Sequence, residues 1–196
     1  MIDVVVINLS RDPGGGGVAG LSSGAQVQAE LGKIRSCGGE GGTPPGLDQL
    51  GLVKTLYLYC EDFSKSTTAE IDFAAAGVDE LNLEYETEIN IYRLIQEALN
   101  NIKRHAGANR VTIRVVASSP DIVIRIKDNG KGFDVNDRRK WALKEKRMGL
   151  QSMVERVRLL QGKINIQSRP NKGTYIFIAI PLKENTSVFQ EEHSDY

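Results

Sequence analysis

Glycine decides where this chain can build regular structure. Thirteen of its 20 glycines fall within the first 51 of 196 residues, among them Gly14-Gly15-Gly16-Gly17 and Gly38-Gly39-Glu40-Gly41-Gly42. Glycine gives up more backbone freedom on ordering than any other residue, so such runs hold neither helix nor sheet. Residues 1–46 therefore read as a linker-like segment, with one short strand over Ile2 to Ile7 and one short helix over Gln26 to Arg35. Folding is left to residues 47–182, and 183–196 form a polar tail.

Composition supports one folded domain. At 40% hydrophobic and 26% charged residues the chain can bury a core. Its 25 basic and 25 acidic side chains cancel, which argues against direct grip on a nucleic acid backbone or contact with an anionic membrane. Two cysteines, Cys37 and Cys60, make no disulfide framework and fit a reducing, cytoplasmic compartment. The apolar run Val4-Val5-Val6-Ile7 is too short to span a bilayer or act as a secretory core.

From Leu47 to Phe63 apolar residues recur every three or four positions, which predicts one amphipathic helix. A short strand follows over Thr68 to Ala75, then a long helix over Glu86 to His105. Val111, Ile113 and Val115, then Ile122, Ile124 and Ile126, alternate with polar residues on either side of Ser118-Ser119-Pro120-Asp121, the pattern of a hairpin. Residues 133–148 are polar, highly charged and aperiodic, as in a loop; Met148 to Leu160 is helical by spacing. Ile164 and Ile166, then Tyr175 to Ile180, make two more strands around Arg169-Pro170-Asn171-Lys172-Gly173. Such an order predicts an α+β fold, a two-layer sandwich of a mixed, mostly antiparallel sheet with helices on one face.

Four motifs carry chemistry. On the long helix Tyr92, Ile95, Leu99, Ile102 and Ala106 share the side that packs, while Glu97, Asn101, Arg104 and His105 cluster on another. That polar stripe suits a metal or a phosphate, although a solvated helix face looks alike. Asp128-Asn129-Gly130-Lys131-Gly132-Phe133 follows a strand directly: an acid that can accept from an amino group, with two glycines that let backbone approach a ligand. Met148-Gly149-Leu150 stands where the charged loop meets a helix, a place where backbone N–H groups attract phosphate. Gly173-Thr174 opens the last strand and brings a hydroxyl to a pocket floor.

Taken in order, these motifs resemble the catalytic ATP-binding domain of two-component sensor histidine kinases, within the Bergerat-fold ATPases that include gyrase and MutL. YRLIQEALNNIKRHAGA (Tyr92 to Ala108) is similar to the N box, DNGKGF to the first glycine box, MGLQSMVERV to the second, and NKGTYIFIAIP to the third with its closing strand. Leu47-Asp48-Gln49-Leu50-Gly51-Leu52 and Met153-Val154-Glu155-Arg156 resemble more narrowly the subfamily that pairs with response regulators of LuxR/NarL type.

The resemblance implies ATP and magnesium as cofactors. It implies that Asn101 ligates magnesium, Glu97 is the polarising or general-base carboxylate, Arg104 meets phosphate oxygens and His105 lies beside the nucleotide. Asp128 would accept from the exocyclic amine of adenine, backed by Thr174 next to Gly173. Gly130 and Gly132 would shape the pocket wall, Gly149 with Leu150 would border the phosphates, and 133–148 would be the ATP lid. The implied partners are a dimerisation domain bearing the phosphoacceptor histidine and a response regulator.

Two features depart from the family pattern. The second box has a single glycine, Gly149, and Asn171 stands where the third usually has glycine, a residue that tolerates the left-handed backbone. Neither His105, inside the N box, nor His193, in the tail, follows a dimerisation helix; Gln26 to Arg35 is at most a remnant of one. The expectation is therefore a catalytic domain whose acceptor histidine lies on a domain absent from this chain. The alternatives are a catalytically silent nucleotide-binding interaction module and, more remotely, a gyrase-like ATP hydrolase.

Overall fold

The computed structural model describes residues 4–9, 46–134 and 144–182. The helix expected over Gln26 to Arg35, most of the lid and the tail with His193 lie outside the described residues.

Among the described residues six strands form one sheet in the order β1-β2-β3-β4-β6-β5. They are β1 (Val4–Leu9), β2 (Glu70–Ala76), β3 (Arg110–Ser118), β4 (Asp121–Asp128), β5 (Lys163–Ser168) and β6 (Thr174–Pro181). The pair β2–β3 is parallel; every other pairing is antiparallel. β1 runs two residues later than Ile2 to Ile7 and adds an edge to β2, from Val4 opposite Ala76 to Leu9 opposite Ile71, so the sheet takes one strand from ahead of residue 47.

The helices are α1 (Leu47–Leu50), α2 (Leu52–Ser66), α3 (Tyr85–Asn101) and α4 (Lys144–Leu159). The single helix expected from Leu47 through Phe63 is thus two. Gly51, at φ 76° and ψ 173°, turns the chain between them, and its carbonyl accepts from Thr55 Oγ1 at 2.7 Å at the start of α2. Helical spacing carries no mark of that break, because the apolar face resumes with Leu52, Val53, Leu56, Cys60 and Phe63, all buried. α4 starts four residues ahead of Met148, so the end of the stretch read as a loop is helical. Lys144-Glu145-Lys146-Arg147 are good helix formers that present no apolar stripe to a periodicity argument.

Alternation in the strands builds the core. Ile113, Ile126, Ile176 and Ile166 stand opposite one another across four strands, and Val115, Ile124, Ile178 and Ile164 form the next row. In β3, β4 and β6 these side chains are at most 6% exposed, covered by Tyr92, Leu94, Ile95, Ala98 and Leu99 of α3 and by Met153 and Val157 of α4. Tyr59 of α2 meets the edge of Tyr92 with ring centroids 5.5 Å apart. The opposite sheet face carries exposed Arg125 and Lys127 and an Arg114–Asp72 ion pair. The result is a two-layer α+β sandwich with its helices on one face.

At Asn101 the long helix changes type. Ile102–Ala106 form one π-helical turn that ends at Gly107, in the left-handed conformation at φ 59°. Among the described residues no helix is long and apolar enough to cross a membrane.

Candidate functional site

The end of α3, its π turn, the end of β4 and the start of β6 converge on one pocket, enclosing about 490 Å³ with its open mouth. Ala98, Ile102, Ile126, Ile176, Phe133 and Leu150 give it apolar walls, and Asn101, His105, Asp128 and Thr174 supply the polar groups. A mostly apolar cleft with a few convergent polar groups is the usual form of a small-molecule site.

Asp128 is the most telling of these. It is 4% exposed, at the end of a strand whose other inward residues are isoleucines. Among the described residues, Thr55, Asn90 and Asp128 are the buried polar side chains. The first two bond local helix carbonyls, Thr55 to Gly51 and Asn90 to Glu86. Asp128 Oδ1 accepts from the Gly130 N–H at 2.8 Å, and the residue also faces the pocket. Burying a carboxylate is costly, and an acid kept in such a place is a candidate for ligand recognition.

On α3, Asn101 Nδ2 donates to Glu97 Oε1 at 3.1 Å. Asn101 lines the pocket; Glu97 stands one turn behind it, half-buried. Gly149 of α4 packs on this pair so closely that a Cβ there would overlap Glu97 Oε1 and lie 3.1 Å from Asn101 Nδ2. His105 lines the pocket from the π turn, whereas Arg104 is exposed and does not line it. An extra residue in that turn rotates the end of the stripe, so the spacing that grouped Arg104 with Asn101 holds only as far as regular α-helix continues.

Gly130 and Gly173 act behind the pocket rather than on its wall, and Gly132 does both. A Cβ on Gly130 would fall 2.5 Å from the Ala106 carbonyl, which accepts from Lys131 N–H at 2.9 Å. On Gly173 (φ +73°) it would overlap the Asp128 carbonyl. Gly132 lines the pocket and presses on the Arg169 and Gly173 carbonyls. Asn171 takes φ 59°, the left-handed conformation expected of it, and its N–H donates to the Lys131 carbonyl at 2.7 Å. The first and third glycine-bearing loops are thereby stitched into one unit.

Two residues that spacing did not single out help hold this unit. Asn129 Oδ1 accepts from the Asn109 and Arg110 N–H groups, and its Nδ2 donates to Asn109 Oδ1 at 2.6 Å, clamping the chain after the π turn to the loop after β4. Ser168, at the end of β5 opposite Thr174, bonds Phe133 and Gly173. The signal for Ser168 was its register with Thr174, which exists only once the strands pair. Cys60 belongs to the core: burial pushes its thiol up to about 12, so it is a neutral packing group.

Residues 86–184 match the family described as histidine kinase-, DNA gyrase B- and HSP90-like ATPase. The signal transduction histidine-protein kinase/phosphatase DegS of Brevibacillus brevis is 41% identical over 136 residues, 69% of this chain and 34% of the relative. DegS of Bacillus subtilis (strain 168) is 37% identical over 142 residues, 71% and 36% of the two chains. The chain thus spans about a third of the length of these relatives. Its fold matches that of the Erythrobacter litoralis EL346 blue-light activated histidine kinase with a TM-score of 0.56 at 22% identity, covering 68% of this chain and 42% of that one. The chain belongs to the histidine kinase-, DNA gyrase B- and HSP90-like ATPase family, with a Bergerat-like fold. Within that family both of these relatives are described as signal transduction histidine-protein kinase/phosphatases.

Proposed function

We propose that this domain binds magnesium-ATP and transfers the γ-phosphate to a histidine on a dimerisation domain, for relay to an aspartate of a response regulator. The observation that carries the reading is Asp128, a buried acid lining an otherwise apolar pocket directly across the strands from Thr174. It accepts from the amino group of the base, and Thr174 supports it. The triphosphate runs toward Asn101 and the start of α4.

The donor set fits magnesium. Asn101 turns its amide nitrogen to Glu97, which leaves the amide oxygen as the hard ligand. Among the described residues no group of three or more His, Cys, Asp or Glu side chains is placed to hold a metal, which suits an ion that takes few protein ligands and shares phosphate oxygens. Magnesium would supply charge neutralisation on the phosphates. Glu97 orients Asn101 and polarises the incoming acceptor; His105 lies beside the nucleotide, and Arg104, outside the pocket, meets phosphate oxygens on the exposed side. Gly149 and Leu150 border the phosphates, with 133–148 as the lid.

The regulator is of LuxR/NarL type and the site of action cytoplasmic, a reading supported by Leu47-Asp48-Gln49-Leu50-Gly51-Leu52 and Met153-Val154-Glu155-Arg156 and by the similarity to signal-transduction kinases at 41% and 37% identity. Titration calorimetry of the parent and Asp128→Asn proteins tests the pocket. The variant is expected to bind ATP about tenfold or more weakly, and equal affinity would overturn the assignment.

A second reading, a nucleotide-binding module without transfer activity, is favoured by the single glycine of the second box. Labelled ATP with a supplied acceptor domain separates the two. A kinase labels the acceptor in a manner that needs Asn101, whereas a silent module leaves it unlabelled.

A further inference from the structure

We propose that Ser168 sets the base preference of this pocket by fixing the hydroxyl proton of Thr174. The inference rests on the nucleotide reading above and deepens it. Ser168 does not line the pocket; it stands behind Thr174, its cross-strand neighbour, and acts as a positioning residue.

A serine hydroxyl has one proton and two lone pairs. The Phe133 N–H donates to Ser168 Oγ at 2.9 Å and occupies one lone pair. The Gly173 carbonyl, 2.9 Å away, can only accept, so the serine proton goes there. Thr174 Oγ1 lies 3.1 Å from the same oxygen. All three bonds form together in one arrangement alone, with Thr174 donating to Ser168.

The consequence falls on the other side of Thr174. With its proton committed to Ser168, the threonine oxygen can offer the pocket only lone pairs. Beside it Asp128, when ionised, is also acceptor-only. The two polar groups at the end of β4 and the start of β6 then both present acceptors. A purine bearing an exocyclic amine there is accepted, and one bearing a carbonyl meets two acceptors and is refused. Remove the Ser168 oxygen and the threonine proton can turn into the pocket, where it serves a carbonyl.

Competition of ATP and GTP against a fluorescent adenine nucleotide tests this in the parent, Ser168→Ala and Ser168→Thr proteins. The preference of the parent for ATP over GTP is expected to fall about tenfold in Ser168→Ala and to persist in Ser168→Thr, which keeps the hydroxyl. In a Thr174→Val background Ser168→Ala should leave the ratio unchanged. Ser168→Cys, with its weak S–H donor, gives the same readout if the alanine protein does not fold. An unchanged ratio, or equal weakening of both nucleotides, makes Ser168 a structural residue and overturns the proposal while the pocket assignment stands. A parent protein that binds no ATP overturns both.

Discussion

Asn101 Nδ2 and Glu97 Oε1 are joined at 3.1 Å across one turn of α3, and Gly149 of α4 is pressed flat against the bond. Two helices therefore meet at the point where catalysis would occur, with a glycine as the spacer. In a helix, alanine is favoured over glycine by about 1 kcal/mol. At position 149 that gain is opposed by a Cβ that overlaps the Glu97 carboxylate, the movable end of a side chain. Gly149→Ala is expected to melt within a few degrees of the parent yet to displace Glu97 and Asn101. Labelling of a supplied acceptor domain should fall about a hundredfold. A variant that keeps full transfer would show that this packing does not set the geometry.

Gly173 presents the opposite case, a glycine that answers to backbone. Its φ of +73° is costly for an L side chain, and a Cβ would overlap the Asp128 carbonyl, which cannot yield without pulling β4 from its place. Gly173→Ala is expected to lose about 2 kcal/mol or more in urea denaturation. Asn171→Gly, two residues earlier at φ 59°, should change stability by about 0.5 kcal/mol or less. Similar losses in the two variants would contradict the close approach.

Glu88 links stability to pH. Burial, with Asp48 and then Asp79 nearby, raises its carboxyl above the ordinary 4.5. Burial likewise raises Asp79, partly offset by Lys54. Between 4.5 and the higher folded value the native protein holds a proton that the unfolded chain releases, so stability falls as pH rises through that window and the deficit is complete above it. Glu88→Gln is therefore expected to raise the melting temperature at about pH 7.5 and to match the parent below about pH 4.5. Thermal melts at both pH values check it; a lower melting temperature at pH 7.5 would contradict the repulsion.

Much of the fold was legible in local spacing. Period-two alternation located the isoleucines of β4 and β6, and the stripe at steps of four placed Glu97 and Asn101 side by side. Both follow from repeat geometry that any chain segment carries by itself. The break at Gly51 and the helical start of α4 were not legible. One interrupts a pattern that resumes in phase, and the other continues a helix through residues with no apolar face to count. Arg104 shares the stripe of Asn101 only in a regular α-helix, and the π turn at Ile102 ends that regularity.

By itself, then, the order of residues determined which segments are helix or strand, which faces are apolar and which boxes carry an acid, an amide and glycines. Tertiary structure alone decided that Gly130, Gly149 and Gly173 serve contacts behind the pocket and that Ser168 stands against Thr174. The reason is range. Periodicity acts between neighbours a few residues apart, whereas a close approach of two backbones, or the direction of one hydroxyl proton, depends on chain segments that meet only when the sheet pairs.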